Sequence, residues 1–493
     1  MKFPIRRIML VSVTALLLTS CASFSGIETS APVRAPADFA SAASLPEQDG
    51  PWPDHSWPAA IGGAPLQALI DEAFAGNPGL QVAAARVAAA RALADTARAA
   101  GSPGATAGFN STYQRFTENG LVPPQRAGQY VSDNRLTLDF SYDFDFWGRH
   151  SAELHAALSQ GKAAEAEQHA SRLALSTSIA RAWIQLARQH AQLDLVEQQL
   201  LVRRKIDRLT QLRIKAGLDT QSDEEQARQQ QAVLRAEQAQ WQESIALARN
   251  QLAALMGQGP DRGMRIARPE LPRETALRLP NEVPLTLLGR RPDIVAARWR
   301  AEAAQGDIDA AKAQFYPNVN LIAFAGFSSL GLTNLLQFGS RVAGIGPAIR
   351  LPVFEAGALR AQLKGKVAAY DSAVGSYNQA LTDALRDVAD QLQSLRGAQI
   401  QAEHQRDAAQ AAANSHRLAQ HRERVGTINM LPVLATEMTW LMQRKAELDS
   451  QARRADLRIG LIKALGGGFD AAAAGLEPGS AASNNSTQSK HAS

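Results

Sequence analysis

The stretch RRPDIVAARWRAEAAQGDIDAAKAQFYPNVN, Arg290–Asn320, reads as a helix that opens at Pro292, carries small residues on one face and stops at Tyr316-Pro317. Proline fits a first helical turn and cannot continue a helix interior, so the two prolines bracket the element. Apolar residues in alternation follow it. The same order occurs earlier in the chain. Asn77-Pro78-Gly79-Leu80 opens an Ala-rich helix closed by Pro103, and alternation follows again. Pro78 to Pro103 and Pro292 to Pro317 are the same step of 25 residues, so the chain contains this unit twice.

Working outward, residues 105–116 place Ala105, Ala107, Phe109 and Tyr113 at odd positions and Thr106, Asn110, Thr112 and Gln114 at even ones. A loop with Gly120, Pro123 and Pro124 occupies 117–134. Residues 135–146 alternate more cleanly. Leu136, Leu138, Phe140, Tyr142, Phe144 and Phe146 share one face; Arg135, Thr137, Asp139, Ser141, Asp143 and Asp145 share the other. A period of two over a dozen residues predicts a strand with one apolar and one wet side. About ten residues is what a tilted strand needs to cross a membrane. The second copy repeats this over 317–328 and 341–353, although Ile322 and Phe324 interrupt the wet face of the third strand.

From Arg149 to Lys215 there is no proline and one glycine, Gly161. A helix of roughly 66 residues would be about 100 Å long, with heptad steps at Leu186, Leu193 and Leu200 forming a coiled-coil-like seam. Gly217 breaks it, and a return helix over 220–256 carries Trp241, Ile245, Ala248, Leu252 and Leu255 in alternating steps of four and three. The second half replays this with a long helix from 358 to 424, a break at Gly426 and a return over 430–465. Gly148 to Gly357 and Gly217 to Gly426 are both 209 residues.

The chain has 493 residues, 52 basic against 47 acidic, and 6% aromatics. Abundant Ala with few aromatics favours long helices packed closely through small side chains. The pI near 9.4 comes from interspersed charges without a basic stripe, which argues against nucleic-acid binding. Lys2, Arg6 and Arg7 precede an apolar run, Ile8–Leu18, too short to span a bilayer and suited to an export signal. It ends Leu18-Thr19-Ser20-Cys21, and Cys21 is the chain's one cysteine, so no disulfide framework exists. Two readings of Cys21 stand: an acylated lipoprotein cysteine, or a chance residue after a generic signal. The expected layout is a signal peptide over 1–20, an acylated arm over 21–65 and a first repeat over 66–257. A proline-rich connector (258–291), a second repeat (292–468) and a disordered tail (469–493) complete it.

Four strands with one lipid-suited face cannot stand open in lipid, where every backbone group needs a partner. The chain must therefore associate. Two copies would give eight strands, filled by side chains; three would give twelve, leaving a channel.

The residues that carry a family resemblance are Cys21, Asn77-Pro78-x-Leu80, Phe144-Asp145-Phe146-Trp147-Gly148-Arg149 and Gly289-Arg290-Arg291-Pro292-Asp293-Ile294. Phe315-Tyr316-Pro317, Leu351-Pro352-Val353-Phe354-x-x-Gly357 and the glycine tips at 217 and 426 continue the series. In this order, over roughly 21–468, the chain resembles the TolC family of outer-membrane efflux factors, and within it the lipoprotein branch of OprM- and NodT-like proteins. The resemblance implies an α+β membrane protein: a homotrimer with a twelve-stranded β-barrel continued by a long periplasmic α-helical barrel. It implies a bacterial outer-membrane location with lipid attachment at Cys21. It also implies docking to a periplasmic adaptor and an inner-membrane pump, commonly of the resistance-nodulation-division type.

Family members close the periplasmic mouth with acids just after the glycine matching Gly426, and this chain has none there. Its first tip is acidic instead, with Asp219, Asp223, Glu224 and Glu225. One reading makes these a negative ring while Ile428 and Leu431 form a hydrophobic constriction. The other has the acids solvating a helix start, where the macrodipole favours them. Asp139, Asp143 and Asp145 either line the lumen or partner Arg135 and Arg149. No HExxH or Walker motif occurs, and His416 and His421 share no helical face, so neither a metal nor a cofactor is expected. Catalysis is not expected. The alternatives to an efflux channel are the outlet of a type I secretion system and a non-conducting structural envelope lipoprotein.

Overall fold

The computed structural model describes residues 23–35, 38–40, 44–45, 50–272, 283–352 and 355–477. Cys21 lies outside them. Helices α1 (Trp57–Gly76) and α2 (Pro78–Ala100) lead into strands β1 (Gly104–Arg115) and β2 (Tyr130–Phe144). Helices α3 (Arg149–Lys215) and α4 (Gln221–Leu255) follow, then two short helices, α5 (Pro260–Met264) and α6 (Val283–Arg290). The second half comprises α7 (Pro292–Ala313), β3 (Asn318–Leu330), β4 (Arg341–Arg350), α8 (Ala356–Arg424) and α9 (Met430–Ala464). Both return helices stand 209 residues apart at both ends, matching the glycine spacing in the sequence.

The chain forms two compact units. The first, 23–33, 87–164 and 297–377, holds an antiparallel sheet in the order β1-β2-β3-β4. Beside it Ile308, Ala311 and Phe315 of the α7 region pack with Leu363 and Val367 of α8 and with Ile27. Gly306 lets α7 approach α3 closely: a Cβ there would lie 3.0 Å from the Ala156 nitrogen. The N-terminal segment is fastened to this unit. Phe24 meets Phe315 edge-on at 5.5 Å, and the Asp371 carboxylate accepts from the Ser30 and Ala31 amides at 3.1 Å each.

The second unit, 34–86, 165–296 and 378–477 among the described residues, has its core where Leu66 and Ile70 of α1 meet Ile179, Trp183 and Ile184 of α3. Leu252 of α4 and Ile459 of α9 close the same cluster. A separate cluster nearer the helix turns joins Leu195 and Val202 to Leu434, Met438 and Leu441.

The elements differ from expectation in four places. The arm expected to run to residue 65 turns helical at Trp57, because Pro58 occupies a first helical turn; Gly63, at φ 67°, kinks the helix before Pro65. Pro260 and Pro284 likewise stand in the first turns of short helices inside the proline-rich connector. Strand β2 begins at Tyr130 rather than 135, since β1 pairs with it down to Arg115–Tyr130. Residues 469–477, expected to be disordered, pack: Ala471 donates to Gly289 O at 2.8 Å, and Leu476 is 1% exposed. Residues 478–493 lie outside the described residues.

Candidate channel wall and helical tips

Residues paired across an antiparallel ladder share a face, so the register tests the expected two-sidedness directly. Leu138 lies between Ala107 and Ala325, Leu136 between Phe109 and Phe327, and Phe140 between Ala105 and Ala323. Ile345 and Ile349 continue this face on β4 beside Ala323 and Val319. Through its middle the face is apolar on all four strands and open, Phe109 being 55% exposed and Ile345 77%, while Ser111, Asn134 and Ser329 pair toward one end. Aromatic pairs stand at its two ends, Tyr113 stacked on Tyr130 at 5.9 Å and Trp147 on Tyr316 at 4.6 Å. An apolar band edged by aromatics is what a lipid-facing barrel wall carries. The opposite face holds Asn110, Arg135 and Ser328 at one level and Asp143 and Asn320 at another.

Each carboxylate singled out on this wall is engaged. Arg135 approaches Asp139 to 3.7 Å, and Thr137 donates to it at 2.8 Å. Asp143 is a hub, accepting from Arg149 at 2.9 Å and Asn318 at 2.8 Å, with His150 at 3.0 Å. It ties the end of β2 to the starts of β3 and α3. Asp145 accepts from the His150 and Ser151 amides at 3.1 and 2.9 Å, satisfying two open N–H groups of α3. Among the three, Asp139 sits on the open wet face; Asp143 and Asp145 belong to the strand–helix junction. Asn318 had no signal in the sequence as a partner, because strand register brings it in, and His150 arrives through the turn between β2 and α3.

The two helix turns share one construction. At the first, the Leu218 amide donates to Arg213 O and the Gly217 amide to Ile214 O; at the second, Thr427 donates to Arg422 O and Gly426 to Glu423 O, all at 2.9 Å. Gly217 and Gly426 have φ of 73° and 76°, the left-handed conformation this helix end requires. The acids of the first turn are individually held. Arg213 grips Asp219 through two bonds of 2.9 Å, which raises the arginine above its ordinary pKa. The Thr220 hydroxyl and amide donate to Asp223 at 2.7 and 2.8 Å and hold its pKa down. Glu224 and Glu225 both reach Arg228. Asn429 caps α9 by accepting from the Leu431 amide at 3.0 Å, leaving the Ile428 and Leu431 side chains half-buried.

Above the second turn, His416 is buried, stacks on Trp440 at 5.9 Å and contacts Gln420 at 2.9 Å and Thr436 at 3.3 Å. It pins α8 to α9. Among the described residues no three His, Cys, Asp or Glu are grouped to hold a metal ion, and no helix is long and apolar enough to cross a membrane.

The model of the family described as outer membrane efflux protein matches residues 69–258 and 283–467, one match to each repeat. The chain belongs to the outer membrane efflux protein family. The outer membrane protein VceC of Vibrio cholerae superposes with a TM-score of 0.77 at 40% identity, covering 85% of this chain and 100% of that one. The outer-membrane channel OprN gives 0.79 at 27% identity, covering 90% and 99%. Fusaric acid resistance protein FusA of Burkholderia cepacia is 36% identical over 358 residues, 72% of this chain and 68% of the relative. Membership accounts for the doubled architecture and for a sheet whose apolar side is bare. The fold and family are those of channel proteins rather than enzymes.

Proposed function

We propose that the chain is one third of an outer-membrane efflux channel that conducts small toxic compounds out of the periplasm. Three copies close a twelve-stranded barrel continued by a long periplasmic α-helical barrel. A periplasmic adaptor and an inner-membrane pump, of the resistance-nodulation-division type, open it. The observation that carries this reading is a four-stranded sheet with one face apolar through its middle, whose outer strands β1 and β4 have no further partner among the described residues. An open edge is untenable in lipid, so closure through further copies supplies the missing hydrogen bonds. The chain supplies no energy source or chemistry of its own, and conduction is passive.

Three finer assignments belong to the same reading. Cys21 is acylated and anchors the chain in the outer membrane. At the tips, Asp219, Asp223, Glu224 and Glu225, two of which pair with Arg228 and one with Arg213, supply the acids of the mouth. Ile428 and Leu431 add an apolar restriction that closes by dewetting.

Deleting the gene and scoring susceptibility to a compound panel, with adaptor capture from the same cells, tests the function. Hypersensitivity restored by the wild-type chain, with an adaptor of a pump retained, supports it. Unchanged susceptibility together with capture of a secretion ATPase complex would favour a protein-export outlet instead.

A further inference from the structure

Two side chains of β3, Ile322 and Phe324, run against the pattern of the wet face, and the second has charged neighbours. Phe324 on β3 lies opposite Asp139 on β2 and Gly344 on β4. Its ring is laid across Gly344: a Cβ at that position would meet ring carbons at 2.7 and 2.8 Å. Only glycine leaves that berth open. Arg135 reaches along β2 toward Asp139, so that its guanidinium stands 5.3 Å from the Phe324 centroid and 3.7 Å from the Asp139 carboxylate. Thr137, between them on the same face, is buried and donates to Asp139 at 2.8 Å. The Arg135 and Asp139 side chains remain 51% and 43% exposed, so the group faces open water.

Packing alone gives no reason to set a phenyl ring on a polar wall, where its exposed area is a cost. The surroundings supply one. A guanidinium is planar, weakly hydrated, stacks on aromatic faces and takes carboxylates in two-point fashion. Phe324 and Asp139 hold that plane along the wall, and Asp139 is a weak competitor at its distance and exposure. A planar aromatic solute finds a π surface here, and its carboxylate finds Arg135. The half-exposed setting suits transit, which needs binding weak enough to release.

We propose that Arg135, Phe324 and Asp139 form a specificity-determining layer of the channel lumen, a passing site for planar aromatic carboxylates repeated in each chain. The inference rests on the channel reading above.

The test is saturation-transfer NMR on the full-length chain in detergent, titrated with 2-naphthoate and, for comparison, its fully saturated decalin carboxylate analogue. Phe324→Leu keeps the bulk without the π face, and Arg135→Gln removes the cation; heat-modifiable gel mobility verifies that each variant is folded. The wild-type chain is expected to bind 2-naphthoate at least about threefold more tightly than the saturated analogue, an advantage of the size stacking supplies, and both variants to lose that preference. Equal affinity for the two probes, or a preference that survives in both variants, overturns the proposal. The same preparations are examined by native mass spectrometry. Single chains overturn the channel reading and this layer with it, whereas trimers without a naphthoate preference overturn the layer alone.

Discussion

Arg213 holds Asp219 through two parallel hydrogen bonds of 2.9 Å across the turn joining α3 to α4. The acid is therefore a clamp on the turn as well as a charge at the mouth. Asp219→Ala frees Arg213 and makes each chain's tip more positive by one unit. In planar bilayers the cation preference of the reconstituted channel is expected to fall, and amide exchange over 213–223 to quicken. Asp223→Ala is expected mainly to loosen the start of α4, as loss of the third-position partner of a capping box does. Unchanged ion preference in both variants removes the acids from the aperture.

The glycines that end the helices separate into two kinds. Gly217 and Gly426 have open space where a Cβ would stand, so Gly217→Ala carries only the left-handed backbone strain, roughly 1–2 kcal/mol. Gly257 and Gly466, also 209 residues apart, are hemmed in: a Cβ would lie 2.4 Å from Gly76 O and 1.8 Å from Arg290 O respectively. Gly257→Ala and Gly466→Ala are expected to cost about 3 kcal/mol or more, since backbone must move. Thermal midpoints of the purified variants check the order.

Leu138 sits mid-strand on the apolar face between Ala107 and Ala325. Leu138→Arg places a charge on the lipid side at a cost of about 2–4 kcal/mol per chain near the bilayer centre. Ser141→Arg, on the wet side, is expected to be tolerated. The heat-modifiable fraction recovered in outer membranes distinguishes them, and equal recovery contradicts the assigned faces.

Burial holds the His169 imidazole below its usual pKa of 6.5, and Arg172 and His55 lower it further. The folded state then binds fewer protons than the unfolded chain below that value. The stability this group contributes is complete above pH 6.5 and is lost as pH falls from there through the depressed folded value. Thermal midpoints are expected to decline over that range, and His169→Gln to flatten the slope. A parallel slope in the variant assigns the acid sensitivity elsewhere.

Much of this fold is written locally. The bounds of α3 and α8 follow from proline-free runs ended by Gly217 and Gly426, and the strand faces follow from side-chain alternation. What tertiary contact decides was not legible. The packed turn at 469–477 is Ala-rich and without period, and it is ordered by Gly289 O and by Arg290, whose guanidinium lies 3.2 Å from Asp470. Phe324 read as a flaw in a wet face because only the register reveals Gly344 beside it and Arg135 above it. Arg149 was legible as a partner of Asp143, but Asn318 was hidden for the same reason, being 175 residues away in sequence.

The central claim is that this sheet closes only with copies of itself. Native mass spectrometry of the full-length chain extracted from outer membranes in mild detergent tests it most directly. The account predicts particles of three chains. A stable single chain, its β1 and β4 edges exchanging amide hydrogen freely while the sheet stays intact, would contradict it.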